Sequence, residues 1–272
     1  LARPTKIQWI GGAQDGITNL RTIYLKLNQP TASGDTIIVT GFINNGSDTL
    51  TISDDQTNTW AKDKVVSDTT NNLTCYIARA SNVAANTRVL KFTLSGTPFG
   101  PKMQFSALVV NNLPTTSVVD NSTSGASSST TTPSAPSFTA AAGTFIVSLM
   151  VATSFGSPTT FTHYTTGANF DSIWGFDPIE PMAAQYGYVA SATTFAPSIG
   201  SSYSLTTAQT LTVSYHTTTG VGGAPRSTIE VRGQQWINCA ENSFIGMTAT
   251  SNIFNIPCDS NQGINLVVAQ LT

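Results

Sequence analysis

Two apolar segments, Gln104-Phe-Ser-Ala-Leu-Val-Val110 and Thr144-Phe-Ile-Val-Ser-Leu-Met-Val-Ala152, bracket a long hydroxylated run and limit what this chain can fold into. Each is far shorter than the roughly 20 apolar residues a membrane helix needs, and each suits a strand covered on both faces. Between them, residues 114–137 hold almost nothing but Ser, Thr, Pro, Ala, Gly, Asn, Asp and two valines. A stretch of that kind buries little, so it is expected to run over the surface or to join two bodies, and its reading decides between one domain and two.

The rest of the chain punctuates short strands with turns. Arg21-Thr-Ile-Tyr-Leu-Lys-Leu27 alternates, with Ile23, Leu25 and Leu27 on one face, and Thr36-Ile-Ile-Val-Thr-Gly-Phe-Ile43 reads as a central strand. Lys6-Ile-Gln-Trp-Ile10 is a short first strand closed by Gly11 and Gly12, and Ser53-Asp-Asp-Gln-Thr-Asn58 is expected to turn a hairpin between 50–52 and 59–61. Further strands are predicted at 74–80, 88–94, 103–110, 144–152, 160–164, 184–190, 210–216 and 227–232, with at most a helical turn near 178–184. No sustained 3.6-residue period occurs. The fold class is therefore all-β, with turn signals spaced as in an antiparallel β-sandwich of jelly-roll type, and the length allows one large β domain or two smaller ones.

Composition places the object. Of 272 residues, 10% are charged, against roughly 25% in ordinary soluble proteins. Ser and Thr make up about a quarter of the chain. This suits an exported, extracellular or cell-surface β protein, in which Thr serves both as strand former and as neutral solvent-facing residue. A mature exported chain would have lost its signal peptide, so the start at Leu1 is uninformative. The net charge of −2 and the absence of a Lys/Arg cluster remove the basis for nucleic-acid or anionic-membrane binding.

Of the three cysteines, Cys75 shares a strand face with Leu73 and Ile77 and reads as a buried free thiol. Cys239 and Cys258 lie in a polar stretch where a disulfide would close a loop of about 20 residues, worth roughly 3 kcal/mol; two unpaired thiols are the other reading.

Gly34-Asp-Thr-Ile-Ile-Val39, then Ile52-Ser-Asp-Asp-Gln-Thr-Asn-Thr-Trp60, then Cys75-Tyr-Ile-Ala-Arg79, with an apolar strand resuming at 143–151, resembles a broad group of uncharacterised exported β-sandwich domains of microbial surface proteins. In those domains a Gly-Asp strand precedes an Asp-x-x-x-Asn-x-aromatic hairpin. The resemblance covers residues 7–232. It implies one sandwich domain over residues 1–232 with the hydroxylated run at 114–137 as an internal connection, leaving an extension at 233–272, and it implies no activity.

Candidate sites are few. Of the two histidines, His216 falls on the Thr210, Thr212, Ser214 face of its strand and reads as a surface residue. No zinc spacing, nucleophile elbow or phosphate loop occurs, so no metal, cofactor or catalytic residue is assigned. Asp54, Asp55 and Asn58 concentrate oxygen ligands that could suit calcium, although turn capping explains them equally. Residues 161–188 gather aromatics and carboxylates, and from them Trp174, Phe176, Tyr186, Tyr188, Asp171 and Asp177 form a candidate glycan site. The same carboxylates at about 5 to 9 Å separation would serve a glycosidase, and the plainer reading is that the rings complete the core. Asn45, Asn72 and Asn121 each open a glycosylation sequon.

These features point to a non-catalytic extracellular structural or adhesion protein, self-assembling as a surface or filament subunit. A carbohydrate-binding module and a virus coat or fibre protein are the alternatives. Self-association is expected through terminal strands, at 7–10 or 263–270, by addition to a neighbour's sheet edge; the plainer reading is that both pair within their own fold.

Overall fold

The computed structural model describes residues 6–15, 21–44, 49–95, 103–116, 118–152, 161–163, 169–176, 182–201, 205–217, 234–237, 245–249 and 252–256. All regular elements among them are strands, as expected. An eight-stranded central sheet runs in the order β20 (Asn252–Ile256), β19 (Ile245–Ala249), β18 (Gln234–Ile237), β1 (Lys6–Asp15), β8 (Met103–Val110), β3 (Thr36–Ile43), β6 (Leu73–Ala80), β5 (Trp60–Asp68). A three-stranded cap sheet is ordered β2 (Thr22–Lys26), β7 (Val89–Leu94), β4 (Leu50–Asp54). A five-stranded base sheet is ordered β13 (Asn169–Phe176), β14 (Met182–Val189), β11 (Thr144–Ala152), β17 (Leu205–Tyr215), β9 (Val119–Thr130). Two small ladders complete it, β10 (Phe138–Ala140) with β15 (Thr193–Phe195) and β12 (Phe161–His163) with β16 (Ile199–Ser201). Pairing is antiparallel except where β18 meets β1, at Ala13 and Ile237.

The sandwich has two fillings, because the central sheet is covered on both sides. From β3, Ile37, Val39 and Ile43 face the cap and pack with Leu25, Leu50, Leu90, Phe92 and Phe105. Ile38 and Phe42 face the base and pack with Leu108, Phe145, Leu149, Leu211 and Tyr215. Hence every residue of β3 and β8 is buried, which a strand can be only when neither face meets water. Phe92 of the cap stacks on Phe105 at 4.2 Å between centroids. Gly41, registered opposite Phe105, has no side chain because a Cβ there would overlap the Phe105 ring and the Gln104 carbonyl. Strand β11 is likewise buried throughout. Its outer face is covered by Phe138 and Ala140 at one end and, towards the other, by Ile199, which clusters there with Leu205 and Ala208 of the neighbouring β17.

Four expectations change. Residues 119–130, expected within a surface connection, form a twelve-residue strand along the base edge. Thr and Ser sit well on a pleated surface, and an edge strand need bury only part of its side chains. Segments 50–52 and 59–61 do not make a hairpin: β4 pairs with β7 in the cap and β5 with β6 in the central sheet, so the chain turns a corner between layers there. Of the stretch allowed a helical turn, residues 178–181 lie outside the described residues and Met182–Val189 is strand from its first residue; Met182 and Ala184 are fully buried in the filling between central sheet and base, and Ala183 is buried on the outer face of the base. The first strand also continues through Gly11 and Gly12 to Asp15, with a register shift between Gly11 and Ala13.

Residues 6–15 pair within their own sheet, along β8. Three strands of the 233–272 stretch extend that same sheet beyond β1; residues 263–270 lie outside the described residues, as does the strand expected at 227–232.

Candidate functional site: interlayer ties and sheet edges

Chemically capable side chains collect where the edge of the central sheet lies over the base. In β5 the register to β6 passes from Lys62 opposite Ala78 to Lys64 opposite Ile77, so Asp63 is the extra residue of a β-bulge. The bulge turns Asp63 inward, leaving its side chain 4% exposed. Arg79 of β6 donates Nη1 to Asp63 Oδ1, and Tyr215 of β17 donates its hydroxyl to Asp63 Oδ2 at 3.1 Å. Arg79 also donates Nε to Ser81 Oγ at 3.1 Å. Burial raises the Asp63 carboxyl above its ordinary range, against the downward pull of Arg79 and Tyr215. Burial, and then the charge of Asp63, push the Tyr215 phenol well above its ordinary range.

A second tie lies at the far end of the same strand, where Gln209 of β17 donates Nε2 to Asp68 Oδ2 at 2.9 Å. Partial burial pulls Asp68 upward, but donors from Asn71, Gln209 and the Thr70 backbone outweigh it and hold the carboxyl below its usual range. Strand β5 is thus pinned to the sheet beneath it at Asp63 and at Asp68. Sequence reasoning missed Asp63. Nothing in the sequence sets it apart, because Lys62-Asp63-Lys64 reads as an ordinary charged edge.

A serine, a histidine and an aspartate meet at the end of β17. Ser214 donates its hydroxyl to Asp120 Oδ2 at 2.9 Å, the Ala141 amide donates to the same oxygen at 3.2 Å, and His216 Nε2 stands 3.8 Å from Asp120 Oδ1. A nucleophilic serine needs its proton directed to the histidine. Here the serine is buried and gives it to the carboxylate, which makes the group a cap on the strand end. His216 is 45% exposed, at the surface as expected.

The Asp-x-x-x-Asn-x-aromatic motif has a structural explanation. Asp54 Oδ1 accepts from the amides of Gln56 at 2.9 Å and Asn58 at 3.1 Å and from Asn58 Nδ2 at 3.1 Å. Its Oδ2 accepts from Trp60 Nε1 at 2.8 Å. Asn58 in turn accepts from the Ala84 amide at 2.8 Å and donates to Thr87 Oγ1 at 3.0 Å, while Asp55 accepts from the Arg88 amide. These oxygens are engaged by N–H donors that fix the corner between cap and central sheet. A shallow cleft beside it is lined by Thr49, Thr51, Trp60 and Lys62.

The candidate glycan residues are not brought together as one surface among the described residues. Tyr186 is 5% exposed and packs in the lower filling, tilted against Phe145 at 5.6 Å, so its ring completes the core. Tyr188 is half-buried on the same strand. Trp174, Phe176 and Asp171 lie on β13, whose side chains are outside the described residues, as is Asp177. Cys239 and Cys258 are also outside them, while Cys75 is buried and unbridged, its thiol pushed up by burial. Of the sequons, Asn45 lies outside the described residues, Asn72 is exposed at the β5–β6 turn with φ of 53°, and Asn121 donates its side-chain amide to the Thr139 carbonyl at 3.0 Å.

The chain matches no family model, no curated protein and no solved structure.

Proposed function

We propose that this chain is a non-catalytic structural or adhesion protein of the cell exterior, acting as an assembling subunit. One observation carries the reading. Among the described residues, the side chains best able to do chemistry, Asp63, Arg79 and Tyr215 at one end of β5 and Ser214, Asp120 and His216 at the end of β17, are engaged with one another as ties between layers and strands. What remains for function is the outer surface and the sheet edges, and with 10% charged residues that surface is neutral and hydroxyl-rich. Such edges favour association over repulsion.

Negative-stain electron microscopy of the purified chain tests this. Discrete regular assemblies are expected. Dispersed single particles that bind a glycan array would replace the reading with a carbohydrate-binding one, and closed shells would favour a coat protein.

A further inference from the structure

We propose that the open edge of β9 is where a second copy of this chain docks, strand against strand, continuing the base sheet across a twofold axis. This rests on the reading of the chain as an assembling subunit and names the contact.

Strand β9 is the last strand of the base sheet and is hydrogen-bonded to β17 on one side only among the described residues. Among the described residues its outer backbone groups pair with no second strand, although Asn121 takes the Ser122 amide at 2.8 Å and residues 134–141 pass along β9 through side-chain contacts, and an edge of this kind is the template on which another strand adds. The devices that blunt such an edge are missing. It holds no lysine and no proline, its single charge is Asp120 near one end, and its register shifts only at that end, between Ser214 and Tyr215 of its partner. The opposite edge of the same sheet, β13, has a bulge between Phe170 and Ser172 and carries Asp171. The outer strands of the cap, β2 and β4, are five residues each.

The occupant follows from how this chain pairs its own strands. At five of the positions where hydroxylated residues stand opposite one another in a ladder, though not where Thr51 faces Thr93 or Thr123 faces Thr212, the hydroxyls bond directly: Thr22 with Thr93 at 3.4 Å, Thr40 with Ser106 at 2.6 Å, Ser67 with Thr74 at 3.2 Å, Thr139 with Thr194 at 2.6 Å and Ser148 with Thr212 at 2.8 Å. Seven of the twelve residues of β9 are Ser or Thr. An antiparallel copy about an axis near its middle brings the hydroxyls of Ser122, Thr123 and Ser124 to the joint, while Ser127 and Thr130 are already bonded to Ser134 and Thr132, and it places the two Asp120 side chains at opposite ends of the joint. Small side chains let the backbones reach ladder distance. A nucleic acid or an anionic lipid would find no cation along this strand. The contact is isologous and closes as a dimer.

Sedimentation velocity across a wide concentration range tests it, on the full chain and on variants at Ala126, an exposed position of β9. Wild type and Ala126→Ser are expected to dimerise alike. Ala126→Lys, which sets like charges near the axis, is expected to weaken dimerisation by about tenfold or more with an unchanged melting transition. Ala126→Glu carries the same test if the lysine variant fails to fold. Dimers of Ala126→Lys and Ala126→Glu as tight as wild type would overturn the β9 contact while leaving self-association standing. A wild type that stays monomeric throughout would overturn both.

Discussion

Strands β5 and β9 are both sheet edges, on the same side of the molecule, and they are built in opposite ways. Strand β5 carries Lys62, Asp63, Lys64 and Asp68, is interrupted by a bulge, and is tied to the base through Tyr215 and Gln209. Strand β9 has one charge and is regular for most of its length. A lysine-flanked, bulged edge resists addition of another strand; a smooth hydroxylated one does not. One edge of the sandwich is closed by its own chemistry, then, while the other is left able to pair.

The comparison is broken most severely by releasing β5. Arg79→Met leaves Asp63 buried without its cation and is expected to cost about 3 to 5 kcal/mol in urea denaturation, with amide exchange rising first over 60–68. A loss below about 1 kcal/mol would mean that the pair contributes little to holding the edge, as exposed pairs do. Next in size is Gly41→Ala in the shared sheet, where the new methyl meets Phe105 and the Gln104 backbone. A loss of about 3 kcal/mol, reaching both edges together, is expected. Exchange that rose only along β5 would show that the edges do not share one cooperative core.

The second tie is weaker. Gln209→Ala removes one hydrogen bond to a more exposed carboxylate and is expected to cost about 1 kcal/mol, read from the urea midpoint. The smallest effect is that of acid. Asp63, raised in the fold, stabilises fully below its unfolded pKa and loses that contribution as pH rises through its folded value. Asp68, lowered, contributes above its unfolded pKa and loses this only as pH falls through its folded value. Between about pH 7 and 4 the melting temperature should hold or rise slightly, as calorimetry can check. A steep fall in that window would show that carboxylates other than these dominate.

The layered interior was legible in the sequence where runs of apolar residues are continuous: 36–43, 103–110 and 144–152 are the doubly covered strands they were expected to be. The partners were not legible. Leu50 to Ile52 and Thr59 to Ala61 look like two arms of one hairpin because the Asp54 to Asn58 turn residues are the same for a hairpin as for a corner, and only long-range pairing to β7 and β6 decides. The hydroxylated run misled for a related reason. Composition reports what a segment can bury, and an edge strand buries little, so β9 reads like a loop. Asp63 was hidden because its inward turn comes from a bulge, which shifts the alternation by one residue and disguises a buried acid as one more charge between two lysines. For the aromatic cluster, Tyr186 shows the limit of composition, since a ring near carboxylates in sequence can still face the core.

The most direct test of the account is hydrogen–deuterium exchange of the backbone amides of 60–68 and 119–130 at low and high protein concentration. The closed-edge and open-edge assignment predicts that part of 119–130 gains protection as concentration rises while 60–68 stays unchanged. Protection that grew along 60–68 instead, or at neither edge, would contradict it.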